Sequence, residues 1–183
     1  MKFFARVLMF LAFGALILSY LPFSSSDDDN TSVKDLNVEK FLGTWYEIAR
    51  MPSVFEDGLV NTTSTYSRNN DGTITIVNSG RVHTPDGEQK SITGKVWLAD
   101  YNKTGRLRVR FVWPFVNEYR IVDLEQQNYH YVVIASASKK RLWILSRSAE
   151  LDGEIYDGLF KNAEGRGFDT RKLFKVPQTW PSP

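Results

Sequence analysis

The sequence predicts an all-β fold: an eight-stranded antiparallel up-and-down β-barrel with a single C-terminal α-helix packed outside. Two observations lead there. From Gly43 to Arg147 short strand-like segments recur between turn-forming clusters, and after Arg147 the apolar spacing lengthens to that of a helix. A third is composition: 42% hydrophobic and 14% aromatic residues in 183 favour one compact core. Closing such a meander removes its edge strands, although an open sandwich is compatible with the strand pattern alone.

Residues 1–26 read as a separate export unit. Lys2 and Arg6 precede a mostly apolar run from Val7 to Leu21, and Pro22 and the serines at 24–26 lead into Asp27. These are the parts of a signal peptide, with cleavage placed before Asp27. The run is also near the ~20 residues that span a bilayer, so an uncleaved N-terminal membrane anchor is the alternative. Basic residues ahead and acids behind leave the body on the outer side either way. Residues 27–32 form a polar linker, 33–178 the barrel with its helix, and 179–183 a tail.

Within the body, Val38, Phe41 and Leu42 predict a helical turn started by Asn37. Strands are expected at 43–50, 61–68, 73–82, 90–99, 106–113, 118–125, 129–136 and 141–147. Clusters such as Asn69-Asn70-Asp71-Gly72 and Pro85-Asp86-Gly87 supply the positive-φ positions of tight turns. Leu151, Ile155, Leu159, Phe160 and Ala163 then share one helical face, with Gly165 and Gly167 as the stop. A last extended piece, Leu173 to Pro177, is expected to pair at the sheet's seam.

Several function classes are disfavoured. Without Lys2 and Arg6 the chain carries 21 basic and 21 acidic residues, so no global field recruits nucleic acid. The sequence has no cysteine, which excludes disulfides, a thiol nucleophile and a lipid-modified cysteine in these residues. His83 and His130 do not make a metal pair, there is no Gly-x-Ser-x-Gly, and no phosphate-binding glycine loop occurs. No catalytic residue, cofactor or metal is assigned. Asn30, Asn61 and Asn102 begin glycan acceptor patterns.

Three ordered segments resemble the conserved regions of the lipocalin family: Gly43-Thr44-Trp45-Tyr46-Glu47-Ile48, Ile121-Val122-Asp123 leading to Tyr129, and Trp143-Ile144-Leu145-Ser146-Arg147. The likeness spans about residues 33–178 and is strongest to the bacterial outer-membrane branch, with the apolipoprotein D-like branch more distant. Phe55-Glu56-x-Gly58-Leu59, Pro114-Phe115 and Arg166-Gly167-Phe168-Asp169 add to it. The resemblance implies a structural trio of Gly43, Trp45 and Arg147, the arginine lying across the tryptophan at the closed end. A guanidinium stacked on an indole, with donors free for backbone carbonyls, suits that role. One departure stands out: the bacterial branch carries an acylated cysteine after its signal, and here that anchor is missing.

Strand parity, started from an inward Trp45, locates a cavity. It turns Glu47 and Ala49 in and Tyr46, Ile48 and Arg50 out. Together with likeness to lipocalin spacing it gives a ligand-binding set of Glu47, Ser64, Tyr66, Ile76, Asn78, Val96, Leu98, Val109, Phe111, Tyr119, Val133 and Trp143, with Ile121 and Leu145 also inward. An eight-stranded barrel either fills itself or holds one small ligand, and so many polar tips are unusual in a dry core. The loops 51–60, 83–89, 113–117 and 137–140 would surround the mouth, where Phe55, Trp113 and Phe115 form a lid, a membrane-touching rim or a plug folded inward. The resemblance implies fatty acids or lysophospholipids held tail-down, for storage or transport by an exported protein of the cell envelope, periplasmic, outer-membrane associated or secreted. The partners expected are thus a lipid ligand and a membrane met through the N-terminal segment and mouth loops, with the oligomeric state left open. Two other readings stand beside it: an isomerase or synthase using Glu47 or Tyr119, and a filled barrel that binds protein.

Overall fold

The computed structural model describes residues 32–101 and 104–180. The export unit, most of the linker, Asn30 and Asn102 lie outside the described residues.

The chain opens with a single helical turn, α1 (Val38–Phe41), capped by Asn37, whose Oδ1 accepts from the Lys40 amide at 3.1 Å. Eight antiparallel strands follow: β1 (Gly43–Arg50), β2 (Leu59–Arg68), β3 (Ile74–Val82), β4 (Gln89–Leu98), β5 (Arg106–Arg110), β6 (Asn117–Leu124), β7 (Tyr131–Ser136) and β8 (Leu142–Ser146). Each pairs with the next, and β1 pairs with both β2 and β8, which closes the barrel. The helix α2 (Gly153–Gly165) starts on Asp152, whose carboxylate accepts from the Glu154 and Ile155 amides. A two-residue strand, β9 (Phe174–Lys175), completes the sheet. The fifth strand is shorter than its alternating pattern predicts; it ends at Arg110, and residues 111–116 are a mouth loop.

Two apolar clusters lie on opposite sides of the sheet. The inner one joins Phe41, Trp45, Tyr66, Val96, Leu107, Val109, Ile121, Val132 and Ile134. The outer one joins Ile48, Ala49, Val122, Val133, Ala135 and Ile144 to Tyr156, Leu159 and Ala163 of α2. Strands under the helix are therefore buried on both faces, and their apolar pattern no longer distinguishes inside from outside. This corrects two expectations: Val133 packs beneath α2 rather than inside the barrel, and so does Ala49. On the helix, Tyr156 takes a buried place while Ile155 is 40% exposed.

β-Bulges account for the other departures. The registers of β1 and β6 shift between Glu47 and Ala49 and between Ile121 and Asp123, and β2 shifts against β3 between Val60 and Thr63. An extra residue inverts the parity beyond it. Arg50, expected to face solvent, is instead 1% exposed and turned toward Glu47.

Bulges on β1 and β2 flank the seam, and the two strands pair only from Gly43 to Tyr46 against Tyr66 to Thr63. Above that the C-terminal segment fills the gap. β9 pairs with β1 at Ala49 and Arg50, and the Asn61 amide donates to the Pro177 carbonyl at 2.9 Å. The Gln178 side-chain amide donates to the carbonyls of Glu47 and Thr62 at 2.8 and 2.9 Å, replacing missing ladder bonds. Asn61 sits at φ 49° and exchanges hydrogen bonds with the Thr179 backbone through its own side chain. Its amide nitrogen is thus buried in the seam, so the acceptor pattern at Asn61 is masked in the folded chain.

Candidate functional site

The closed end is built from residues at the two ends of the barrel sequence, Gly43 and Trp45 on β1 and Arg147 just after β8. Gly43 has φ 96°, a conformation disfavoured for residues with a Cβ, and a Cβ there would meet Arg147 Nη1 at 3.3 Å. Arg147 stacks on Trp45 with its guanidinium carbon 3.7 Å from the ring centroid. It donates to the carbonyls of Lys40, Phe41, Leu42 and Thr44 at 2.6 to 3.2 Å, satisfying the open carbonyl end of α1. Trp45 is fully buried, and its Nε1 donates to the Phe41 carbonyl at 2.9 Å. Tyr129 adds a brace by accepting from the Asn37 amide at 2.9 Å. Nothing here is left open to a ligand.

Above this floor lies a cavity of about 40 Å³, lined by Ser64, Tyr66, Ile76, Asn78, Phe111, Tyr119 and Trp143, with Glu56, Ile134 and Leu145. The first seven belong to the set read from the sequence. Val96 and Val109 are in the inner core and Leu98 packs against it, but none of the three lines the open space. Glu47 does not line it either: its carboxylate accepts from Arg50 Nη1 at 2.8 Å, beneath the C-terminal segment. Arg50 also donates to the carbonyls of Glu56 and Leu59 and stands over Phe174 at 5.0 Å, so one cation ties together β1, the first mouth loop and the tail.

The Glu47 carboxyl is pushed up to about 7, first by burial and then by the nearby Glu56 carboxylate, against the pull of Arg50 and Thr62. Burial also raises the Tyr66 and Tyr119 phenols, which hold their protons throughout the neutral range.

Glu56 and Ile134 were not found by parity. Glu56 lies in a loop, where alternation says nothing, and its only signal was an acid amid Val54, Phe55 and Leu59. Ile134 follows Val133 in an unbroken apolar run, which conceals the inward residue. Trp143 Nε1 donates to Glu56 Oε1 at 3.3 Å, and the Tyr119 and Trp143 rings meet at 5.2 Å, so the cavity is roofed by movable side chains. Space of ~10–15 Å³ is needed per water, so the cavity takes about three, well short of the ~300–1,000 Å³ of ligand pockets. A larger ligand enters only if Phe111, Tyr119 and Trp143 swing aside.

Around the rim the two longest apolar loops stay uncovered. Val54 and Phe55 on one, and Trp113 and Phe115 on the other, are each 70 to 85% exposed. Arg141 lies 5.8 Å from the Phe55 ring, beside Lys139 and Lys140 on the adjacent loop. Among the described residues no three histidine, aspartate or glutamate side chains gather as metal ligands.

A closed antiparallel barrel with one outer helix, a sealed end and a small cavity at the other defines a small-ligand-binding β-barrel. The chain belongs to the lipocalin family: the model of the lipocalin-like domain matches residues 36–178. It is 36% identical over 146 residues to the outer membrane lipoprotein Blc of Vibrio cholerae, covering 80% of this chain and 85% of that one. Temperature-induced lipocalin-1 of Arabidopsis thaliana is 36% identical over 156 residues, covering 80% and 82%. Apolipoprotein D of the mouse, Mus musculus, is 27% identical over 152 residues, covering 79% and 78%. Among solved structures, insecticyanin from the tobacco hornworm Manduca sexta shares the fold with a TM-score of 0.65 at 22% identity, covering 81% of this chain and 84% of that one.

Proposed function

We propose that this lipocalin binds a fatty acid or lysophospholipid reversibly in the upper half of its barrel and carries it in the cell envelope. The observation that supports this most is the coincidence of an aromatic-roofed cavity with a rim of exposed Phe55, Trp113 and Phe115. An acyl chain gains ~0.8 kcal/mol per buried methylene, and no bond needs to be made or broken. The rim aromatics, beside the basic Lys139-Lys140-Arg141 loop, suit contact with a bilayer from which the chain is collected. Blc is named an outer membrane lipoprotein in Vibrio cholerae and Escherichia coli, which supports an envelope location. Residues 1–26 are the proposed export segment. The enzymatic reading loses one of its two candidate groups, because Glu47 is engaged by Arg50 and does not line the cavity, whereas Tyr119 does.

Native mass spectrometry of purified protein, with lipid extraction, is expected to show one acyl lipid per chain. Lipid-free protein that also fails to take up a fluorescent fatty acid would sink this function.

A further inference from the structure

The cavity floor carries polar side chains of its own. Ser64 and Asn78 stand opposite one another on β2 and β3, and Ser64 also faces Trp45 across the seam, so this pair lies directly on the sealed end. Tyr66 is the next inward residue of β2 and packs on Phe41 at 4.8 Å. Asn78 Oδ1 is buried with no hydrogen-bond partner. Among the described residues, no hydrogen bond reaches the Ser64 or Tyr66 hydroxyl, although these residues are only 7% and 6% exposed. Buried polar groups are nearly always partnered, so the orphaned Asn78 Oδ1, with Ser64 and Tyr66 lining the same cavity, marks a place for a hydrogen-bonding group.

The chemistry of that group is restricted. The lining contains no lysine or arginine, and its one ionisable acid, Glu56, is at the rim. A carboxylate or phosphate on the floor would be desolvated without a counter-charge. A neutral hydroxyl fits, because its O–H donates to Asn78 Oδ1 while its oxygen accepts from the Ser64 or Tyr66 hydroxyl; a ketone only accepts and would leave Asn78 Oδ1 unmet. We propose that this floor is a subsite for an uncharged hydroxyl group, so that the preferred ligands are lipids whose buried chain is hydroxylated. The inference rests on lipid binding at this cavity and adds which chains it selects. Water can occupy the same three groups, and the ligand oxygen gains by replacing it with its own hydrogen bonds.

Displacement of a bound fluorescent fatty acid distinguishes the cases, using octadecanoic acid against its 12-hydroxy and 18-hydroxy derivatives on the full chain. At least one hydroxylated chain is expected to bind on the order of tenfold tighter than the plain one, since a site built for a hydroxyl rejects analogues lacking it. Tyr66→Phe, which keeps shape and fold, and Asn78→Leu are each expected to reduce the ratio of hydroxylated to plain chain affinity. Equal binding of plain and hydroxylated chains overturns the subsite and leaves the lipid function standing. A preference that survives both substitutions also overturns it, because the oxygen is then held elsewhere. If none of the chains binds, the lipid function itself fails and the subsite with it.

Discussion

The two ends of the barrel treat hydrogen-bonding groups in opposite ways. At the closed end Arg147 alone reaches four backbone carbonyls, Trp45 spends its one donor on Phe41, and Tyr129 is bonded to Asn37. Beside it, among the described residues, Asn78 Oδ1 and the Ser64 and Tyr66 hydroxyls have no hydrogen-bond partner. The roof is held by side chains alone, through the 3.3 Å bond of Trp143 to Glu56 and the packing of Tyr119 on Trp143. Saturated groups and a filled core fix the lower half, whereas unmet groups and loosely held aromatics leave the upper half free to exchange partners. Stability and binding are divided along the barrel axis, on the same strands.

Equal truncations at the two ends test that division most severely. Trp45→Ala is expected to cost ~3–5 kcal/mol, the range for a large buried aromatic. Trp143→Ala, beside an existing cavity, should cost less than half of that and should enlarge the ligand space. Urea unfolding of both variants measures this, and equal losses would break the comparison.

The Glu47–Arg50 pair at the seam sharpens it through pH. A carboxyl raised from 4.5 to about 7 keeps its proton in the folded chain where the unfolded chain has lost it. Rising pH through that window therefore favours unfolding. Relative to Glu47→Gln, the natural chain is expected to lose about 1–3 kcal/mol between pH 4.5 and 7.5, measured by thermal melts across that range. A constant difference would show that Arg50 keeps Glu47 ionised throughout. The smallest expected change in stability is at the rim: Trp113→Ser should alter folding by less than ~0.5 kcal/mol. It should nonetheless slow uptake of a fluorescent fatty acid from vesicles, and unchanged uptake would remove the rim from lipid collection.

Part of the closed end could be read from residues alone. Gly43 and Trp45 are suggested by backbone sign and side-chain volume, which are properties of single residue types, whereas the place of Arg147 across the indole came from the lipocalin resemblance. Strand parity worked on β5, where Leu107 and Val109 alternate with arginines and only one face is dry. It failed where physics removes alternation. Val133 lies between α2 and the sheet, with apolar neighbours on both sides, and Arg50 follows a bulge that nothing in Glu47-Ile48-Ala49-Arg50 announces. Glu56 was hidden differently, since a loop side chain is aimed by contacts distant in sequence. The Asn61 acceptor pattern was legible but its burial was not, because it depends on residues 118 positions away.

The seam sets an order of events in the making of this protein. Residues 174–179 are made after all eight barrel strands, yet they supply the bonds that join Glu47 and Ala49 to Asn61 and Thr62. A nascent chain can pair its hairpins earlier, but the gap between its first two strands stays unstitched until this segment has been made. Closure thereby reports that synthesis has passed residue 179: a chain terminated before residue 174 carries an unzipped flank, open to proteases, that a longer one does not.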